Sequence, residues 1–304
     1  MEKLKYNFND IRKEIKETRP DVRAFGGGAP YSDGEIEEDL QRLQKIKSGP
    51  EYTKDEIGVS ESELQEYATV LEMSSADWFG DSLRDSELFL DGDGAPTTIF
   101  PTSEYDDHVN HIDAICVMQN AYSDYKPLPF ALDLTYNTSL KLDEKFHWRH
   151  PSREIDLPGF CMAKYFEDSA NFPEALPKGR IEVMPRFVIG FDKTLSEKIL
   201  HGQMVDASSW DALKYEEPSE KAKFCVLKEL DMQATQAADF FSEHEEDKPI
   251  FKELKGRIVA LKQYFDGALK IAEANDTQKF EAYAEKDPVF QALATYDAFS
   301  GYKG

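Results

Sequence analysis

The densest run of side chains able to do chemistry is Thr102-Ser-Glu-Tyr-Asp-Asp-His-Val-Asn-His-Ile-Asp113. Asp113 opens a short apolar stretch, Ala114-Ile-Cys-Val-Met118, and a second follows at Pro129-Phe-Ala-Leu-Asp-Leu-Thr-Tyr136. Read as a strand, the second stretch puts Asp133 and Thr135 on one face, with Phe130, Leu132 and Leu134 on the other. A carboxylate inside so apolar a strand needs a compensating partner, because an unpaired buried charge is costly. A hard divalent cation would supply one. Mg²⁺ takes one or two carboxylates and completes its shell with water and substrate phosphate oxygens. The plainer alternative is an aspartate paired with an arginine or capping a turn. His108 and His111 stand near Glu104 and Asp113, and imidazole and carboxylate both ligate zinc. Residues three apart share a face only on a helix, however, and Asp113 starts a strand. Packing or surface roles fit these histidines better, as they do His147 and His150. Asp106-Asp107 reads as an acidic pair at a helix start, favoured by the helix dipole.

These groups need elements to hold them. Short apolar runs at 87–90, 97–100, 112–118, 128–136, 162–166 and 186–191 have strand length. Asp91-Gly-Asp-Gly94 reads as a hairpin turn between the first two. The 25 residues between the strands ending near Tyr136 and starting near Met162 are long enough for a crossover between parallel strands. They include a helical stretch at 139–146. Asp192 reads as the cap of a helix over 193–201, ended by Gly202. The middle of the chain, 81–215, is therefore expected to be a mixed sheet with flanking helices, an α/β core. Residues 1–80 read as a helical region: a helix ending at Arg19-Pro20, one over 34–48, and one opened by the capping box Ser60/Glu63. Gly26-Gly27-Gly28 between the first two has neither the preceding strand nor the following Lys-Ser/Thr of a phosphate loop. Residues 216–304 are helical again. Phe224, Leu227, Leu230, Ala234, Ala237 and Phe241 repeat at threes and fours, as do Ile250, Leu254, Ile258, Leu261, Phe265 and Leu269. The polar turn at Asp247-Lys-Pro249 makes them an antiparallel hairpin. A third helix over 277–298 is interrupted at Asp287-Pro288.

An acid on one strand, a hairpin, and an acid-x-polar pattern on the next resembles the core of the PD-(D/E)XK nuclease superfamily. The resemblance covers about residues 100–200. The phrases Tyr-Asp-Asp-x-x-Asn-x-x-Asp and Ala-Leu-Asp-Leu-Thr, with the later Pro-Arg-Phe-Val-Ile-Gly-Phe-Asp, are also similar to uncharacterised proteins of small-genome uncultivated bacteria. The superfamily resemblance implies a metal-dependent phosphodiesterase. By it, Asp113 and Asp133 would hold Mg²⁺ and Glu104 could add a ligand. The metal would polarise the phosphate and lower the pKa of an attacking water. The position that should be Lys is Thr135, which brings no positive charge to the transition state. Lys141 or Lys145, on the following helical stretch, could reach in.

Composition bounds these readings. Of 304 residues, 36 are Lys or Arg and 59 Asp or Glu, a formal charge of −23. That excludes a broad electrostatic nucleic-acid surface, leaving nucleic acid as a partner only at a local site. It also opposes docking on an anionic membrane. Hydrophobic residues at 40% and aromatic residues at 12% are too many for a disordered acidic chain. The expected compartment is the cytosol: there is no secretory leader and no spanning run, and Cys116, Cys161 and Cys225 have no Cys-x-x-Cys spacing and read as buried thiols. Two functional classes follow. One is a Mg²⁺-dependent nuclease-like enzyme. The other is a non-catalytic interaction protein on the same scaffold, with a protein partner or a second copy on the C-terminal helices.

Overall fold

The computed structural model describes residues 19–27, 30–48, 97–118, 127–135, 157, 159–167, 178–190, 195, 213–274, 286–296, 298 and 299. Its centre is a five-stranded mixed sheet: β1 (Thr97–Pro101), β2 (Ala114–Met118), β3 (Leu128–Thr135), β4 (Phe160–Phe166) and β5 (Gly179–Gly190), in the order β1-β2-β3-β5-β4. β1/β2, β2/β3 and β4/β5 are antiparallel, and β3/β5 is parallel. Five helices accompany it among the described residues, besides a 3-10 turn at Val22–Phe25: α1 (Asp33–Lys47), α2 (Glu104–Asn110), α3 (Leu213–Glu243), α4 (Pro249–Ala274) and α5 (Pro288–Thr295). The expected α/β architecture, a central mixed sheet with flanking helices and a C-terminal helical hairpin, is what the chain forms.

Strand alternation assigns side chains to two faces. Cys116, Phe130, Leu132, Phe187 and Ile189 share one cluster with Leu230, Phe241, Leu254, Leu261 and Phe265 of α3 and α4. Phe130, Phe187 and Phe265 pack edge to face, with centroids 5.5–5.7 Å apart, an arrangement the ring quadrupoles favour. The opposite face buries Ile115, Val117, Ala131, Ala163 and Met184, with Ile112 and Phe166. Apart from exposed Ile250, the apolar stripes of α3 and α4 are thus packed on the sheet and on each other. No helix among the described residues is long and apolar enough to cross a membrane.

β5 extends beyond its pairing with β4, and α3 covers the edge left open. Gln233 uses both ends of its amide on Val188: Oε1 accepts from the N–H at 2.9 Å, and Nε2 donates to the carbonyl at 2.7 Å. Glu229 Oε2 accepts from the Gly190 N–H at 2.8 Å. One helix therefore supplies both an apolar face and the polar atoms a buried strand edge requires. At the other end, α1 opens with a full capping box, Ser32 with Glu35. It joins α2 and β4 through Phe25, Ile36, Leu43, Tyr105, Val109 and Tyr165. Asp39 holds Lys164 at 2.5 Å and accepts from the Tyr165 hydroxyl. The Lys164 ammonium lies 5.1 Å from the Tyr31 ring centroid, and burial, chiefly, pushes the Tyr31 phenol up to about 12.

The structure departs from the sequence reading in extent. β5 begins at Gly179 rather than near Arg186, because Gly179–Pro185 pairs with edge strand β4 and carries the charged residues Arg180 and Glu182 in its alternation. α2 has seven residues, too few to show a helical period, although its acid pair was visible. The last helix is confined to Pro288–Thr295 within the described residues, with Asp287 as its N-cap. Cys116 and Cys225 are buried free thiols, while Cys161, expected to be buried, is half-buried on the sheet. The helix before Arg19, the one opened by Ser60, the strand and turn at 87–94, the helical stretch at 139–146 and all of 193–201 except Leu195 lie outside the described residues.

Two predictions follow. Replacing Gln233 with Leu orphans a buried N–H and a buried carbonyl, at about 1–3 kcal/mol each. Urea denaturation should show Gln233→Leu destabilised by about 2–4 kcal/mol with an unchanged slope. Glu229 is fully buried, and burial pushes its carboxyl well above the ordinary range; the Gly190 N–H opposes this and Asp287 adds to it. A raised folded pKa favours folding below the unfolded pKa, and the gain disappears as pH rises through the folded value. Glu229→Gln mimics the protonated acid. Its stability relative to the natural chain should grow from pH about 5 upward, by up to ~1.4 kcal/mol per pH unit. Equal pH dependence of the two proteins would refute this.

Candidate functional site

The second face of the sheet carries charge as well as hydrocarbon. β3 and β5 register Ala131 with Arg186 and Asp133 with Val188, so Asp133 and Arg186 lie on one face, one alternation apart. Asp133 is 3% exposed and Arg186 2%. Cys161 of β4 is registered with Met184, which places its thiol on the same side. The Cys161 thiol feels both charges. Burial, foremost, pushes the Cys161 thiol up to about 12; the Arg186 guanidinium pulls it down, and the carboxylates of Asp106 and Asp133 push it further up. The raised thiol pKa argues against Cys161 as a nucleophile, because the thiolate is the reactive form.

Asp106 enters this neighbourhood from α2. Its Oδ1 accepts from Asn110 Nδ2 at 2.6 Å and from the Lys164 N–H at 2.7 Å. Its Oδ2 accepts from the Tyr165 N–H at 2.8 Å and from Ser103 Oγ at 2.9 Å. Ser103 Oγ also caps the helix by accepting from the Asp106 N–H. Burial raises the carboxyl above its ordinary value, and the four donors oppose that shift. This carboxylate fastens α2 to the backbone of β4, and its acceptor capacity is taken up by those donors.

The residues singled out in the sequence do not all converge. Asp113 is half-buried just before β2, and its N–H donates to the Leu132 carbonyl at 2.9 Å. Leu132 is also the register partner of Ala114. Ile112 and Ile115, three apart, share one cluster, so an extra residue is accommodated at Asp113–Ala114, as in a bulge. The two aspartates are neighbours through the backbone, but the alternation that orients Asp133 does not run unbroken to Asp113. Glu104 opens α2 and pairs with Lys47 of α1 at 3.2 Å, with its side chain 39% exposed. His108 is half-buried; burial chiefly lowers its pKa, and Asp107, 3.8 Å away, counters that. His111 is the exposed left-handed cap of α2, at φ 53 and ψ 53. Among the described residues, no three His, Cys, Asp or Glu side chains gather as a metal-holding group. Thr135 ends β3, and its side chain, like Lys141, Lys145, His147 and His150, lies outside what is described.

Arg186 was not singled out from the sequence, yet its signal matched that of Asp133: one charge inside an apolar run, Val183-Met-Pro-Arg-Phe-Val-Ile189. Nε, Nη1 and Nη2 of Arg186 have no hydrogen-bond partner among the described residues. No family model, no curated protein and no solved structure matches the chain.

The role of Asp106 can be tested directly. Asp106→Asn keeps the shape but turns an N–H group toward donors, leaving buried backbone N–H groups of β4 unsatisfied. The expected loss is about 3 kcal/mol, read as a fall in melting temperature of about 6 °C or more. A change under ~1 kcal/mol would mean that the latch carries little of the α2–β4 contact.

Proposed function

We propose that this chain is a divalent-metal-dependent phosphodiesterase of nuclease-like type, with the cation held by Asp133 together with Asp113. The supporting observation is Asp133 itself: a carboxylate only 3% exposed in the middle strand of a mixed sheet, next to Leu132, whose carbonyl accepts from the Asp113 N–H. Two carboxylates with water satisfy a Mg²⁺ shell, which keeps sites for phosphate oxygens. Such a cation, when bound, activates water and stabilises charge on the phosphoryl group. Glu104 would join only by leaving Lys47. With a charge of −23, nucleic acid is engaged at the site rather than over a broad surface.

A second reading, a non-catalytic interaction protein on the same scaffold, is favoured by Thr135 standing where the resemblance implies a lysine. A partner or second copy on α3 and α4 would have to use their outer surfaces, since Leu230, Phe241, Leu254 and Phe265 are buried within the chain.

Calorimetry with Mg²⁺ and Mn²⁺ separates the two. The metal reading expects one discrete site in the natural protein, weakened at least about tenfold, or ~1.4 kcal/mol, in both Asp113→Asn and Asp133→Asn. The substitutions are required because 59 acidic residues collect cations diffusely. If all three proteins titrate alike, the metal reading falls and the interaction reading stands.

A further inference from the structure

We infer that Arg186 is the oxyanion anchor of this face: a phosphoryl group docks on its guanidinium beside Asp133. The inference deepens the phosphodiesterase reading and rests on it for the identity of the substrate.

The cost of the buried group is the first argument. Arg186 is 2% exposed, and all three of its side-chain nitrogens lack a hydrogen-bond partner among the described residues. A buried lysine or carboxyl can shed its charge by titrating, but a guanidinium cannot. Uncompensated buried charge is among the most destabilising features a fold can carry. Folds that retain such a conflict do so mostly at functional sites.

Its surroundings narrow the ligand. The Asp106 carboxylate already accepts four hydrogen bonds. Asp133 lies on the same face as Arg186, and the guanidinium donates no hydrogen bond to it. The five N–H groups of a guanidinium form a planar fork that matches two oxygens of a phosphate. The guanidinium's own charge is what a free phosphate would meet here, and a cation on Asp133 would add to that attraction and itself take phosphate oxygens. A phosphoryl group at Arg186 gives the guanidinium its acceptors and lies on the same face as a cation held at Asp133.

The test uses inorganic phosphate in EDTA, so it does not depend on a metal. Melting temperature is followed against phosphate, with chloride at matched ionic strength, for the natural chain, Arg186→Met and Arg186→Lys. Phosphate raises all melting temperatures slightly through exclusion from the surface, so the difference between proteins is the readout. At phosphate about tenfold above its dissociation constant, the natural chain should gain about 3 °C more than Arg186→Met. Without phosphate, Arg186→Met should melt at least as high as the natural chain, because an apolar chain replaces an unpaired charge. Arg186→Lys keeps the charge without the fork and should show less than half the gain; it carries the test if Arg186→Met does not fold. Equal phosphate responses in the natural chain and either variant would overturn the proposal. So would an Arg186→Met that melts far lower while the natural chain ignores phosphate, which would make Arg186 a structural cation. A phosphate response at Arg186 without a discrete Mg²⁺ site would sink the metal reading alone. The reverse result would sink this one alone.

Discussion

β5 has three sets of backbone partners, and the rest of the chain depends on satisfying all of them. β3 pairs with it in parallel, β4 in antiparallel over its first half, and the side chains of Gln233 and Glu229 take the edge that β4 leaves open. A buried strand edge cannot be left to water, so α3 must lie where those two side chains reach it. That requirement fixes α3 across the sheet. α4 follows from the short connection between the helices, and Arg257 of α4 donates to the Val183 carbonyl of β5 at 3.0 Å. Placing the hairpin in turn closes the Phe130–Phe187–Phe265 cluster.

A helical C-terminal region and a sheet core, separable by composition, are therefore not separable in energy. The stripe of α3 that repeats every three to four residues does apolar packing, and the polar residues Glu229 and Gln233 set within it are buried as well. The same economy holds at the other end. α1 and α2 are joined to β4 by the aromatic group of Phe25, Tyr31, Tyr105 and Tyr165, and by Asp39, whose carboxylate serves both Lys164 and Tyr165. Each helical region brings acids that satisfy polar groups on the strand it covers: Glu229 on β5, and Asp39 and Asp106 on β4.

Legibility in the sequence followed periodicity. α1, α3, α4 and most of the sheet strands were readable because capping residues, three-to-four spacing and short apolar runs carry them. The first half of β5 was not, because it pairs with an edge strand and its charged residues dilute the apolar pattern. α2 was not, because seven residues hold less than two full turns. Within the site, Asp133 was legible as a charge in an apolar strand. Arg186 carried the same signal, one charge inside an apolar run, but an arginine there does not by itself suggest a metal ligand. The bulge at Asp113 could not be read, since an inserted residue changes which face a side chain takes without changing residue types. Asp106 looked like a helix-start acid; that its carboxylate reaches the backbone of β4 depends on a contact 58 residues away in sequence.

Three buried ionisable groups show three ways of bearing charge away from water. Glu229 is pushed toward its neutral form by burial. Asp106 is surrounded by four donors. Arg186 has neither remedy, because a guanidinium keeps its proton and its nitrogens find no acceptor among the described residues. The first two solutions are internal, and each fastens a helix to the sheet. The third is incomplete within the described chain and sits beside the one aspartate in an otherwise apolar central strand. If Arg186 served only the fold, a methionine would do the same with less cost. Its place among Met184, Phe187 and Val188 is what the proposed anion would account for, so the proposal rests more on this arginine than on any count of acidic residues.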